Sequence, residues 1–262
     1  MALRYITGRS GQGKTEYLVK EVIRRSIEIP EKQYYVIVPE QFSLEMQRKI
    51  VKMHPRHGFF NIDVLSFHRL SYRIFAECNY QPKEILEDLG VSMMLRKILS
   101  EEEGDFLYFK KSMKKPGFID ELKSMLMEFI GYGVSWKQVE EVTKQLDENK
   151  SLCNKCEELG RIYERFEKAI EGRFMVTEQI LDIAREFTGK APMLKNAVFY
   201  FDGFAGFTPV QISFLRELLK VAAQINVTVT IPEFIPGQKG MSEDLFNASK
   251  KTADALLMLC KE

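Results

Sequence analysis

Eight residues near the start of the chain, Gly8-Arg9-Ser10-Gly11-Gln12-Gly13-Lys14-Thr15, satisfy the spacing GxxxxGK[ST] at every position. The chemistry this spacing permits is the holding of a triphosphate. Glycines let the backbone bend until successive N–H groups converge on phosphate oxygens. A helix that starts at the end of the loop adds the positive end of its dipole. Lys14 supplies a point charge for the β- and γ-phosphates, and the Thr15 hydroxyl can ligate Mg²⁺. The residues expected to bind ATP are therefore Gly8, Ser10, Gly11, Gln12, Gly13, Lys14 and Thr15.

An acid is also needed to hold the metal's water shell, at the end of a later strand. Asp202, directly after the apolar run Ala197–Phe201, is the candidate, and with Thr15 it forms the expected Mg²⁺ site. The plainer alternative is that Asp202-Gly203 is only a tight turn. Hydrolysis calls for a further carboxylate to orient the attacking water, and position 203 is glycine. No catalytic residue is identified, and ATP binding with weak or no hydrolysis is the expectation.

Other reactive residue types offer less. Cys153 and Cys156 form a lone CxxC inside Ser151–Lys168, a stretch with helical spacing, and no second pair completes a metal site. His54 and His57 flank Pro55 in an expected turn and read as surface residues. With Cys78 and Cys260 the cysteines make no disulfide framework, which suits a reducing compartment.

These residues need a scaffold, and the chain supplies two patterns. Leu3–Thr7, Tyr34–Val38 and Ile62–Ser66 are short apolar runs expected to be strands. Helical spacing follows each, over Lys14 to about Ser26, Phe42–Met53 and His68–Ala76. This alternation is that of a parallel sheet with crossover helices. From Pro82 to Thr188 apolar residues recur at three and four instead: Leu86, Leu89, Met93, Met94 and Ile98, then Leu122, Met125, Leu126, Phe129 and Ile130. Tyr163, Phe166 and Ile170, then Ile180, Ile183 and Ala184, continue it, with loops at Gly104, Pro116–Gly117 and Gly131–Gly133. Strands return at Ala197–Phe201 and Ile225–Ile231, around a helix over Pro209–Ala223. The expected fold is α/β, a P-loop NTPase sheet flanked by helices and interrupted by a mostly helical subdomain. The final stretch, Ser242–Cys260, is amphipathic through Leu245, Phe246, Ala253, Leu256 and Leu257, and reaches the chain end without a stop signal. It reads as part of something longer.

The 262 residues carry a net charge of +1, which by itself points to no polyanionic partner. Its distribution is uneven: residues 1–75 hold thirteen Lys and Arg against seven Asp and Glu. A basic first third beside an acidic remainder fits contact with phosphate or nucleic acid, or ordinary variation in surface charge. No apolar run is long enough for a membrane span or a secretory signal, so a cytoplasmic protein is expected.

The order of four segments, GRSGQGKT, YYVIVPEQFSLEMQ, VLSFHRLSYRIF and VFYFDGFAGFTPVQ, resembles superfamily 1 helicases of the UvrD/RecB type, most closely the B subunit of the AddAB helicase–nuclease. The resemblance spans the chain. It implies a helicase 1A-like domain over 1–80 and 190–262, with a 1B-like helical insertion over 81–189. It further implies a place in a complex that resects double-strand DNA ends for recombinational repair, with a motor and nuclease A subunit as partner. Single-stranded DNA would lie near Pro39, Gln41, Ser66, Phe67, His68 and Arg69, where Phe67 is equally readable as a core residue starting a helix. The chain departs from an active helicase in several places. No adenine-binding glutamine motif precedes the loop, Gly203 replaces the Walker B glutamate, and neither a GDxxQ segment, a second motor domain nor the nuclease domain with its iron–sulfur cysteines is found. The competing readings are a P-loop small-molecule kinase, with the helical block as lid, and a structural domain in which the loop is a relic.

Overall fold

The computed structural model describes residues 3–101, 106–113, 115–145, 150–232 and 246–259. In chain order it opens with β1 (Leu3–Gly8), α1 (Lys14–Glu28), β2 (Tyr34–Ile37), α2 (Ser43–Met53), β3 (Ile62–Leu65) and α3 (Phe67–Glu77). Next come β4 (Glu84–Ile85), α4 (Asp88–Glu101), α5 (Phe118–Tyr132), α6 (Trp136–Gln145), α7 (Lys150–Ile170) and β5 (Phe174–Met175). The chain finishes with α8 (Ile180–Phe187), β6 (Val198–Phe201), α9 (Pro209–Val221), β7 (Gln224–Thr230) and α10 (Asn247–Leu259). It forms two compact units, one from Met1–Gln81 with Leu181–Glu262 and the other from Pro82–Ile180. The expected loop at Gly104, and Leu245 and Cys260 of the last amphipathic stretch, lie outside the described residues.

The first unit is an α/β layer built on a five-stranded sheet of order β1-β7-β6-β2-β3, parallel at every pairing. Burial follows that order. All four residues of β2 (YYVI) and of β6 (VFYF) are buried, as expected for strands covered on both faces, whereas the edge strand β1 is only partly so. Leu18, Val19 and Val22 of α1 and Met46 and Ile50 of α2 pack on one face against Ile6, Val36, Val64 and Tyr200. A polar cluster ties α1 down as well. Arg4 pairs with the buried Glu21 at 2.7 Å, and Arg25 donates to the Tyr200 hydroxyl at 3.2 Å and to Gln224 at 2.8 Å. Burial pushes the Tyr200 phenol up to about 12, so it stays protonated.

His54 corrects the expectation of a surface residue, being only 5% exposed. It ends α2 in extended backbone, its Nδ1 accepts the Arg56 N–H at 3.2 Å, and its ring meets Phe59 edge-on. Desolvation, with Arg56 and His57 nearby, holds its pKa below the usual histidine value. His57, at φ 50, is the exposed member of the pair.

The second unit has its own core, in which Leu95 and Ile98 of α4, Leu122 and Leu126 of α5 and Ile162, Tyr163 and Phe166 of α7 meet. The region is mostly helical, as read, and β4 and β5 add a short parallel ladder. One feature departs from the sequence reading. The α4 stripe is rotated: Leu89 and Met93 are 73% and 63% exposed, and Val91, Leu95 and Leu99 face the core instead. A polar contact joins α7 to the turn before α5. The buried Glu158 carboxylate accepts N–H bonds from Leu107, Tyr108 and Phe109 at 2.6, 2.6 and 2.9 Å. Bonds to a charged acceptor are stronger than neutral ones, and the abandoned donors would add their own cost. Glu158→Ala is therefore expected to destabilise the helical unit by about 3 kcal/mol, with Glu158→Gln costing less; urea denaturation followed by circular dichroism measures both.

Candidate functional site

Because all five strands are parallel, every strand delivers its following loop to the same edge of the sheet. Gly8–Thr15 leaves β1 there, Pro39–Phe42 leaves β2, Ser66 leaves β3, and Asp202–Phe207 leaves β6. The glycine loop has the backbone its sequence demands. Gly11 and Gly13 have φ of 77° and 82°, a left-handed conformation that side-chain-bearing residues rarely adopt. Gly13 is the N-cap of α1 and offers no side chain to the first-turn N–H groups, which stay available to an anion.

Around this loop the side chains make specific contacts. Lys14 Nζ donates to the carbonyls of Gly8 at 3.0 Å and Arg9 at 2.9 Å, so its ammonium sits across the loop mouth. Desolvation lowers its pKa, and the carboxylate of Asp202 acts in the opposite direction. The Gln12 side chain folds back, its Oε1 accepting the Arg9 N–H at 2.6 Å, and a Cβ on Gly8 would stand 3.1 Å from that oxygen. A side chain at Gly8 would therefore displace the Gln12 amide from the Arg9 N–H. Ser10 is exposed at the turn.

The structure brings Thr15 and Asp202 together. Thr15 Oγ1 donates to Asp202 Oδ2 at 2.8 Å. The other carboxylate oxygen, Oδ1, accepts from Thr228 Oγ1 of β7 at 2.7 Å, and the Asp202 N–H donates to the Ile37 carbonyl at 3.0 Å. A hydroxyl and a carboxylate adjacent at the head of a helix are hard oxygen donors of the kind Mg²⁺ takes. The sequence reading missed Thr228; its only trace is a polar residue within the apolar run INVTVTI. Gly203 follows at φ 80°, with Pro39 Cδ and Phe42 Cδ2 at 3.5 and 3.7 Å from the position a Cβ would take. Beside Thr15 and Asp202 lies a cavity of ≈ 230 Å³, walled by Val38, Phe42, Met46 and Lys49.

The residues read as near DNA divide by exposure. Pro39 is half-buried and Gln41 exposed after β2; His68 and Arg69 are exposed on the first turn of α3, one strand over. Ser66 caps α3, its hydroxyl accepting the Arg69 N–H at 3.3 Å. Phe67 is 8% exposed, with its ring against Phe201, Phe204, Phe207 and Phe214 at centroid distances of 5.4 to 6.2 Å. Of the two readings open for it, the buried core ring is the observed one. Cys153 and Cys156 lie half-buried on α7, and among the described residues no group of His, Cys, Asp or Glu is arranged to hold a metal by itself. No helix of the described residues is long and apolar enough to cross a membrane.

A five-stranded parallel sheet, a glycine loop at the head of α1 and an acid at the end of β6 define a P-loop-like α/β domain. The chain matches the family described as "ADDB, N-terminal" over residues 5–262, and it belongs to that family. It is 35% identical over 257 residues to the B subunit of the ATP-dependent helicase/deoxyribonuclease of Lachnoclostridium phytofermentans, an alignment covering 98% of this chain and 22% of that protein. The proteins of the same name from Acetivibrio thermocellus and Bacillus mycoides are 31% and 30% identical, each matching 100% of this chain and 23% of their own length. The chain thus spans under a quarter of the relatives it matches.

The Asp202–Thr228 contact carries a consequence for stability. Thr228 is 6% exposed, and replacing it leaves a buried carboxylate oxygen without its donor. Thr228→Val is expected to lower the unfolding free energy by about 2 kcal/mol, and Thr228→Ser to restore most of it, as read from thermal unfolding.

Proposed function

We propose that this chain is the nucleotide-binding, DNA-contacting N-terminal part of a helicase–nuclease component, acting with a motor-bearing partner in the resection of broken DNA ends. The observation that carries the nucleotide reading is the Thr15–Asp202 hydrogen bond at the head of α1, directly behind the glycine loop. In this reading the amides of Gly11–Lys14 surround the phosphates, with Gly8, Ser10 and Gln12 shaping the loop. Lys14 exchanges its two carbonyl contacts for phosphate oxygens, and Thr15 with Asp202 holds Mg²⁺. When bound, the metal offsets phosphate charge. With Gly203 in place of an acid, ATP is held and turned over weakly or not at all. The names of the relatives, B subunits of an ATP-dependent helicase/deoxyribonuclease, support the setting.

Calorimetric titration tests the nucleotide reading. Mg²⁺-ATP should bind the 262-residue chain, Lys14→Ala should weaken it at least about tenfold, and Asp202→Asn should reduce the gain that Mg²⁺ confers. Unchanged affinity in Lys14→Ala would favour a relic loop, and vigorous ATP turnover with single-stranded DNA present would defeat the weak-hydrolysis part.

The DNA reading rests on the exposed Gln41, His68 and Arg69 at the same sheet edge and on the basic first third of the chain. Affinity for single strands should fall as salt rises, because each neutralised phosphate contributes roughly −0.7 to the log–log slope. Arg69→Ala should flatten that slope by about one such increment. A flat salt response of the unaltered chain would count against DNA contact.

A further inference from the structure

The ≈ 230 Å³ cavity beside Thr15 and Asp202 has a wall from α2 that the glycine loop leaves unexplained. Lys49 on that wall is half-buried and makes no ion pair among the described residues. The carboxylates near it are Glu45, one turn back on α2 and also at the cavity, and Glu16, whose charged form Lys49 helps to stabilise after Lys20. Both glutamates are exposed and solvated. From position 203, an acid that orients water would enter this same space. The backbone there disfavours it: φ is 80°, a left-handed conformation that side-chain-bearing residues rarely adopt, with Pro39 and Phe42 at ordinary contact distance from the spot. Lys49 thus lines the cavity that a side chain at position 203 would enter, with the exposed Glu45 beside it.

The polarity of the site fixes what meets the Lys49 ammonium. Thr15 and Asp202, which would hold the metal, line the same cavity as Lys49. A triphosphate whose charge that metal would offset would bring its terminal phosphoryl group to this cavity, and a diphosphate would end short of it. We infer that Lys49 is a second cation for the terminal phosphoryl group, so that the site distinguishes nucleoside triphosphate from diphosphate by binding. This rests on the nucleotide reading above. Lys49 here recognises a ligand; it takes no part in bond breaking.

Titration of Mg²⁺-ATP and Mg²⁺-ADP against the 262-residue chain and its Lys49→Met variant reads the difference. Methionine keeps the length and apolar stem, and near-ultraviolet dichroism checks the fold. The expected result is an ATP affinity reduced about tenfold with ADP affinity unchanged, and Lys49→Arg retaining the preference. Equal loss for both nucleotides, or no change in either, overturns the role of Lys49 and leaves nucleotide binding intact. Failure of the unaltered chain to bind either nucleotide overturns both ideas, whereas Lys14→Ala is expected to lose both ligands together.

Discussion

One carboxylate joins three parts of the sheet unit. Asp202 ends β6, accepts from Thr15 on α1 and from Thr228 on β7, and is itself 5% exposed. Burying a charge is costly unless it is hydrogen-bonded, so both oxygens are taken up by hydroxyl donors. The arrangement works only if β1, β7 and β6 are adjacent and end at one level. The register supplies that, aligning Gly8 with Thr230 and Phe201 with Val227. The glycine loop is positioned by its neighbours as much as by its own residues.

Much of the sheet unit was legible because its strands are buried on both faces. YYVIV and AVFYF are unbroken apolar runs, and Pro39 and Asp202 mark their ends. Boundaries moved by a residue or two where capping decides them: Ser66 caps α3 rather than ending β3. The helical unit was harder to read. A three–four spacing in α4 admits two adjacent stripes, and Leu89 and Met93 belong to the one that faces solvent. The ladder of β4 and β5, two residues per strand, is too short for any periodicity to announce.

The site divides along a similar line. Residues within one contiguous motif, Gly8 to Thr15, could be named from their spacing, and Gly11 and Gly13 adopt the left-handed torsions that spacing leads one to expect. Asp202 could be named because it follows a strand. Thr228 and Lys49 could not, since their relation to Asp202 and Thr15 exists only once β7 and α2 are laid beside them. Phe67 shows the converse. An aromatic residue at a loop-to-helix junction has the chemistry of a base platform, yet four neighbouring phenylalanines enclose its ring.

The strand order has a bearing on how the molecule comes into being. Within the described residues β1 pairs only with β7, joining Leu3 to Ile225, whereas Pro82–Ile180 is one contiguous stretch with a core of its own. Local contacts close quickly and distant ones slowly. During synthesis the helical unit can complete itself while β1, which precedes it, still waits for β7, so the first strand of this sheet is fixed only after the last one is made.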